Sequence, residues 1–472
     1  MLFNSFQFLV FFPIVLIVYY LAGGGYNLRN IWLLVASYYF YMCLKPVYGL
    51  LLLGATVITF FCALYISKNK SNKRKQKTGI TITLICVFGL LFIFKYYNFV
   101  NETVVSLMSI LGLQWNVPYL DILLPVGISF YSFQVAGYII DVYRGKIEAE
   151  RNFLVYACFA SFFPVILAGP IQRSYNLIPQ LKEKHEVLYD NVIVGLKMML
   201  WGYFMKLCVA DRLGTYVDSI FNNLPQHNGT SILLASVFYT IQIYGDFAGY
   251  SLVALGCART MGFKLPDNFR RPYFSLTFKE FWKRWHIGLS SWFGDYLYIP
   301  LGGNRVKYWR YLLNLMIVFL VSGLWHGAAW TFVFWGALHG LLLVIEAISR
   351  KYVGQAEYSK WWKKGLKILF VFIMVNIAWV FFRADTIGDA FYALQKMISV
   401  PTKPYMSPMA LLFGAISMLL LFVKDYADEY HPEWRLLNSQ HKPVALLTAL
   451  LLAVYIMLFG VMDSSQFIYF QF

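Results

Sequence analysis

The sequence predicts an all-α, polytopic membrane protein, and three observations predict it. Of 472 residues, 59% are hydrophobic and 19% aromatic. Only 13% are charged, about half the ~25% typical of a soluble globular protein, so there is too little charge to cover water-facing domains. The apolar residues also come in long runs, with Lys and Arg clustered between them. Such hydrophobicity excludes disorder.

The apolar runs predict spans near 5–22, 30–44, 47–66, 79–98, 122–140, 153–170, 192–210, 230–256, 311–325, 328–347, 366–383, 408–424 and 443–462. Several fall short of the ~20 residues that a crossing helix needs. The expectation is therefore eleven or twelve true crossings, with the remainder re-entrant or interfacial. The first run has no Lys or Arg before it, the first being Arg29, and has no small-x-small cleavage pattern, so it reads as a retained span. Lys68, Lys70, Lys73, Arg74, Lys75 and Lys77 form a basic cluster without an acid. The positive-inside rule accounts for it without invoking nucleic acid, and places the N-terminus outside after three spans. Connections are at most a few tens of residues long, so the chemistry is expected within the membrane body, in a single domain over 1–472.

The remaining features are local. The net charge is +17. Cys43, Cys62, Cys86, Cys158, Cys208 and Cys257 form no CxxC pair and read as small buried residues, not a disulfide frame or a metal site. No internal repeat stands out, which weakens a transporter reading. Pro125 with Gly127, Pro164, and Gly169 with Pro170 break apolar runs, as either packing kinks or cavity walls.

The informative stretch is 264–340. From Lys264 to Arg310 it holds nine basic residues against Asp267, Glu280 and Asp295. Phe278, Phe281, Trp282, Trp285, Leu289, Trp292 and Phe293 recur at helical spacing, with Lys279, Lys283 and Arg284 off the stripe. This predicts one basic amphipathic helix over 278–293, lying in the cytoplasmic interface. Surface anchoring would explain the stripe and the charges, but not His286 at the stripe's edge.

His326 ends an apolar run, between Trp325 and Gly327. An ionisable residue at membrane depth is expensive and is a functional candidate; burial would keep it neutral, able to take a proton. Gly323 and Gly327 would let a backbone or a ligand approach closely. His339, thirteen residues on, falls roughly 220° around a continuous helix and would face elsewhere. His185, His227, His431 and His441 lie in polar connections and are expected to be solvated. No HxxxH or HExxH pair supports a metal site, and there is no GxSxG elbow or Walker loop. Asp246 is a second charge inside an apolar segment, either a helix-to-helix hydrogen bond or an orienting or proton-relay carboxylate.

The run Glu280-Phe281-Trp282-Lys283-Arg284-Trp285-His286, then Tyr296-Leu297-Tyr298-Ile299-Pro300-Leu301-Gly302-Gly303-Asn304-Arg305, then Trp325-His326-Gly327 closely resembles the membrane-bound O-acyltransferase superfamily. Within it the chain looks most like the bacterial alginate O-acetyltransferase branch. The resemblance extends over nearly the whole chain, through Phe3-Asn4-Ser5, Leu124-Pro125-Val126-Gly127-Ile128-Ser129-Phe130, Phe163-Pro164 and Gly169-Pro170-Ile171. It implies helices around a central funnel, a catalytic core within 264–340, His326 as the catalytic residue and His286 as the second family histidine. The branch often carries Ser, Asp and Arg where this chain has Ala248, Leu252 and Gly294, which bears on the acceptor rather than on catalysis.

Together the residues and the resemblance imply His326 as general base on an acceptor hydroxyl, with His286 orienting or relaying. Lys283, Arg284, Trp285, Trp325 and Asp246 are the expected substrate-contacting residues, the basic ones drawing in a phosphorylated donor. The implied donor is acetyl-CoA, with no bound cofactor and no metal. The implied partners are membrane lipid and an extracytoplasmic, esterase-like acetyltransferase, and the location is a bacterial cytoplasmic membrane. Two alternatives stand: a D-alanyl transferase fed by a carrier protein, and a transporter using Asp246 and His326 as a proton relay.

Overall fold

The fold is seen in a computed structural model that describes residues 1–22, 25–354, 360–399, 401–405 and 408–461. The described residues are helical, without a strand. Among them, eight helices are long and apolar enough to cross a membrane. Three further expected spans form helices of sixteen or seventeen residues, Phe6–Leu21, Tyr26–Met42 and Ile128–Tyr143. That length is at or below the lower limit for crossing upright. Of Ile128–Tyr143, all but Ile140 and Tyr143 are buried, the pattern of a core helix. By contrast, Leu446, Leu447, Leu450, Leu451, Met457 and Leu458 of the Lys442–Phe459 helix are exposed, as a lipid-facing surface requires.

The chain divides into two compact units. The first comprises Met1–Val192 with Cys257–Leu265. Its helices Pro46–Lys68 and Lys73–Leu91 form a hairpin around the basic cluster, with Asn72 capping the second. Arg29 is buried, its guanidinium donating to the carbonyls of Leu181 and Glu183 at 2.7 and 2.5 Å. The helix breakers pack closely here: a Cβ on Gly127, whose φ is +77°, would lie 2.7 Å from the Ile166 carbonyl oxygen. His185 is not solvated as expected. It is half-buried, 2.6 Å from the Tyr19 hydroxyl and 2.9 Å from the Met261 carbonyl, and burial pulls its pKa down. Of the cysteines, Cys43 and Cys86 are exposed rather than buried.

The second unit comprises Ile193–Gly256 and Pro266–Phe472. Its aromatic core joins Trp285, Trp335 and Trp379, each fully buried. Helices Tyr308–His326 and Trp330–Tyr352 reverse at Gly327–Ala329 and pack as a hairpin. A Cβ on Gly323 would strike the Phe332 carbonyl, so the two backbones touch where glycine allows it.

The single interfacial helix over 278–293 is corrected here. The stretch forms two short helices, Phe278–Arg284 and Ile287–Phe293, broken at Trp285 and His286, and then a π-helical turn Gly294–Tyr298. All seven residues of its apolar stripe are buried, against partners that include Phe319, Trp335 and Trp379. The periodicity reported a buried face, and this protein's own core, not a lipid surface, covers it.

Candidate active site

His326 is the last residue of the Tyr308–His326 helix, and extended Gly327 ends it. A Cβ on Gly327 would collide with the Phe332 ring, so glycine is needed where the chain turns. The imidazole is 2% exposed, edge-on to Trp325 and Trp335 at 4.9 Å each and to Phe382 at 5.4 Å. Rings on several sides hold it and keep water out.

His286 is held differently. It lies between the two short helices with φ +44°, the left-handed region that non-glycine residues rarely enter, at a cost of about 1–2 kcal/mol. Hydrogen bonds to a neighbouring segment offset that cost. The Ile287 N–H donates to the Asn268 carbonyl at 2.9 Å, and the Arg270 N–H to the Arg284 carbonyl at 2.9 Å. The Asn268 side-chain oxygen lies 3.2 Å from His286 Nδ1 and accepts from the Gly288 N–H at 3.2 Å. His286 is fully buried, and desolvation pushes its pKa down to about 3, so it is neutral at physiological pH.

The two histidines, forty residues apart in sequence, have ring centroids 6.4 Å apart. Trp325 packs on both, 5.8 Å from His286 and 4.9 Å from His326. Phe247 closes on His286 at 4.6 Å. Two buried imidazoles side by side in an aromatic setting, that of His286 neutral, can accept and pass a proton.

Two cavities approach this pair. A cavity of about 770 Å³ is lined by Lys279, Lys283, Arg350, Lys351 and Ser322, the last one helical turn before His326. Neither Lys279 nor Lys283 is ion-paired among the described residues. A smaller cavity of about 270 Å³ is lined by Asn268, Tyr244, Asp425, Ala248 and Leu252. The three departures from the branch pattern therefore all line cavities: Ala248 and Leu252 the smaller, Gly294 the larger.

The other candidates separate. Lys283 is exposed at the larger cavity and Trp325 bridges the histidines. Arg284 is clamped by Glu280 at 2.6 Å and Glu429 at 2.9 Å, so its charge is already met. Trp285 is core, stacked on Phe281 and against Trp379. Asp246 forms a buried ion pair with Lys206 at 2.5 Å, and Lys206 also meets Asp211 at 2.7 Å. Lys206 was missed, although its place inside an apolar run is the same signal that singles out Asp246. Asn268, in an irregular loop, offered no periodic signal.

His339 requires a correction. It does not face away: it is fully buried, accepts from Trp282 Nε1 at 3.3 Å and packs on Trp335, which packs on His326. The rotation of 220° assumed a continuous helix, and the reversal at Gly327–Ala329 cancels it. Among the described residues, no group of three or more His, Cys, Asp or Glu is placed to hold a metal ion.

Residues 148–384 match the model of the membrane-bound O-acyltransferase family. A relative described as "Probable alginate O-acetylase AlgI" from Pseudomonas aeruginosa is 38% identical over 85% of this chain and 76% of its own length. The "Peptidoglycan O-acetyltransferase" of Helicobacter pylori is 35% identical over 79% of this chain and 74% of its own. A more distant relative, the "Teichoic acid D-alanyltransferase" of Bacillus subtilis, is 26% identical over 69% of this chain and 83% of its own. Eight apolar helices, two buried histidines brought together from separate segments, and similarity extending over most of the chain lead to one conclusion: this protein belongs to the membrane-bound O-acyltransferase family and is a multi-pass membrane O-acyltransferase.

Proposed function

We propose that the protein moves an acetyl group from a cytoplasmic thioester, acetyl-CoA, across the bacterial cytoplasmic membrane for O-acetylation of an exopolysaccharide or cell-wall glycan of the alginate type. The observation that carries this reading is the convergence of His326 and His286 in a chain whose relatives are named for alginate and peptidoglycan O-acetylation. The larger cavity supports it: Lys279 and Lys283, without ion-pair partners among the described residues, would attract the donor's phosphates, and Ser322 in its lining stands one helical turn before His326.

His326 takes the proton of an acceptor hydroxyl as the oxygen attacks the thioester carbonyl. The C–S bond then breaks, and the thiolate leaves with the proton held on His326. His286 stays neutral and accepts from the hydroxyl or from the His326 imidazolium. Because the chemistry lies within the membrane body, an esterase-like extracytoplasmic partner completes transfer to the polymer. Asp246, satisfied by Lys206, braces the helix that carries Phe247 against His286.

Mass spectrometry of cell-surface glycans, with and without the protein, tests the reading. Loss of O-acetyl esters on deletion is expected. Loss of D-alanyl esters with acetylation intact would transfer the proposal to a carrier-fed D-alanyl transferase.

A further inference from the structure

The hydrogen bonds at Asn268 decide which nitrogen of His286 carries its proton. A side-chain amide can be turned end for end, but here a backbone group fixes it. The Gly288 N–H can only donate, so the Asn268 atom 3.2 Å away must be the carbonyl oxygen. That same oxygen lies 3.2 Å from His286 Nδ1. An oxygen that only accepts requires a donor opposite, so Nδ1 bears the hydrogen. Burial keeps the ring neutral, which leaves the lone pair on Nε2. Asn268 is itself 1% exposed, and its backbone carbonyl holds Ile287, so it cannot swing away without releasing the left-handed turn at His286.

We infer that Asn268 is a positioning residue that locks His286 in the Nδ1–H tautomer and so makes Nε2 the nitrogen that takes a proton. A ring locked this way accepts hydrogen bonds at Nε2 and cannot donate one from it. It serves the acceptor hydroxyl or the His326 imidazolium, and it does not stabilise the oxyanion that develops on the thioester. The assignment of these roles rests on the proposed acetyl transfer; the tautomer itself does not.

Two measurements on the full-length protein separate the parts. The first is nitrogen NMR of the protein with isotope-labelled histidine, the His286 signals being those missing from His286→Gln. Wild type should show protonated Nδ1 and unprotonated Nε2, and Asn268→Ala a mixture of tautomers. A wild-type His286 protonated on Nε2 overturns the lock.

The second is transfer of radiolabelled acetyl from acetyl-CoA into glycan by membrane vesicles. Asn268→Ala should lower kcat roughly tenfold or more while leaving KM for acetyl-CoA unchanged, a smaller loss than the ~10²–10⁴-fold of a general base, because His286 itself remains. Asn268→Asp keeps the acceptor but adds charge. It should therefore retain activity and move the acidic limb of the kcat profile up by about one unit or more, as a neighbouring carboxylate does to a histidine. If the buried charge keeps that variant from inserting, Asn268→Thr replaces it and should recover part of the kcat lost in Asn268→Ala. Wild-type kcat in Asn268→Ala, a pH profile unchanged in Asn268→Asp, or equal kcat in the Thr and Ala variants overturns the positioning role. Wild-type vesicles that move no acetyl while the NMR shows the lock contradict the proposed donor alone.

Discussion

His286 and His326 are both buried in the protein's core, yet the chain holds them by different means. His326 ends a regular helix and is gripped by Trp325, Trp335 and Phe382. His286 interrupts helix, adopts a left-handed backbone and is held by hydrogen bonds from one loop. His326 takes its place among several aromatic neighbours, whereas the left-handed turn that carries His286 is tied to one asparagine. Packed rings fix where an imidazole sits, whereas a polar partner also decides which of its nitrogens carries the proton.

The largest effect that sharpens this contrast is on activity. His326→Ala should lose about 10²–10⁴-fold in acyl transfer, the range for a general base. His286→Ala should lose less, because His326 remains, with both rates measured in membrane vesicles at equal protein. A silent His286→Ala would reduce His286 to structure and leave a single-base mechanism.

Next comes the packing. Alanine at Gly323 would press on the Phe332 backbone and should destabilise the hairpin by about 1–3 kcal/mol, read as a lower Tm in detergent. Alanine at Gly294, beside His286's helices, meets open space and should leave Tm unchanged or slightly raised. Equal effects at the two positions would break the contrast between a packed hairpin and an open turn.

A third effect depends on pH. His286 has a pKa of about 3 when folded and about 6.5 when unfolded, so between those values the unfolded chain binds the extra proton. Stability should therefore fall as pH drops below 6.5, by about 1.4 kcal/mol per unit from this group. His286→Gln should flatten that slope relative to wild type in denaturation curves taken at several pH values; an unaltered slope would contradict burial of a neutral His286.

The smallest effect is at the cavity mouth. Lys279→Gln with Lys283→Gln should raise KM for acetyl-CoA several-fold at low salt and little at high salt, since screening already weakens the attraction. Arg284→Gln should instead lower stability at any salt, because Glu280 and Glu429 lose their partner.

Much of this was legible in the sequence because its physics is periodic or compositional. Apolar runs marked the long spans, and Trp325-His326-Gly327 and Trp285-His286 carried the two histidines through resemblance. What stayed hidden depended on continuity and on contacts between segments. The stripe over 278–293 reads the same whether or not the helix breaks at His286, because each piece buries its own apolar residues. His339 was misplaced because angular counting fails across the turn at Gly327–Ala329. Asn268 sits in an irregular loop, where nothing in the local pattern says which ring its amide will meet.

The central claim is that His326 removes the proton of the acceptor. His326→Gln keeps the size and polarity of the side chain but cannot take that proton. Surface glycans from cells expressing this variant, shown by size-exclusion in detergent to be folded, should carry no more O-acetyl by mass spectrometry than glycans from cells lacking the protein. Wild-type acetylation from that variant would make His326 a packing residue and contradict the mechanism.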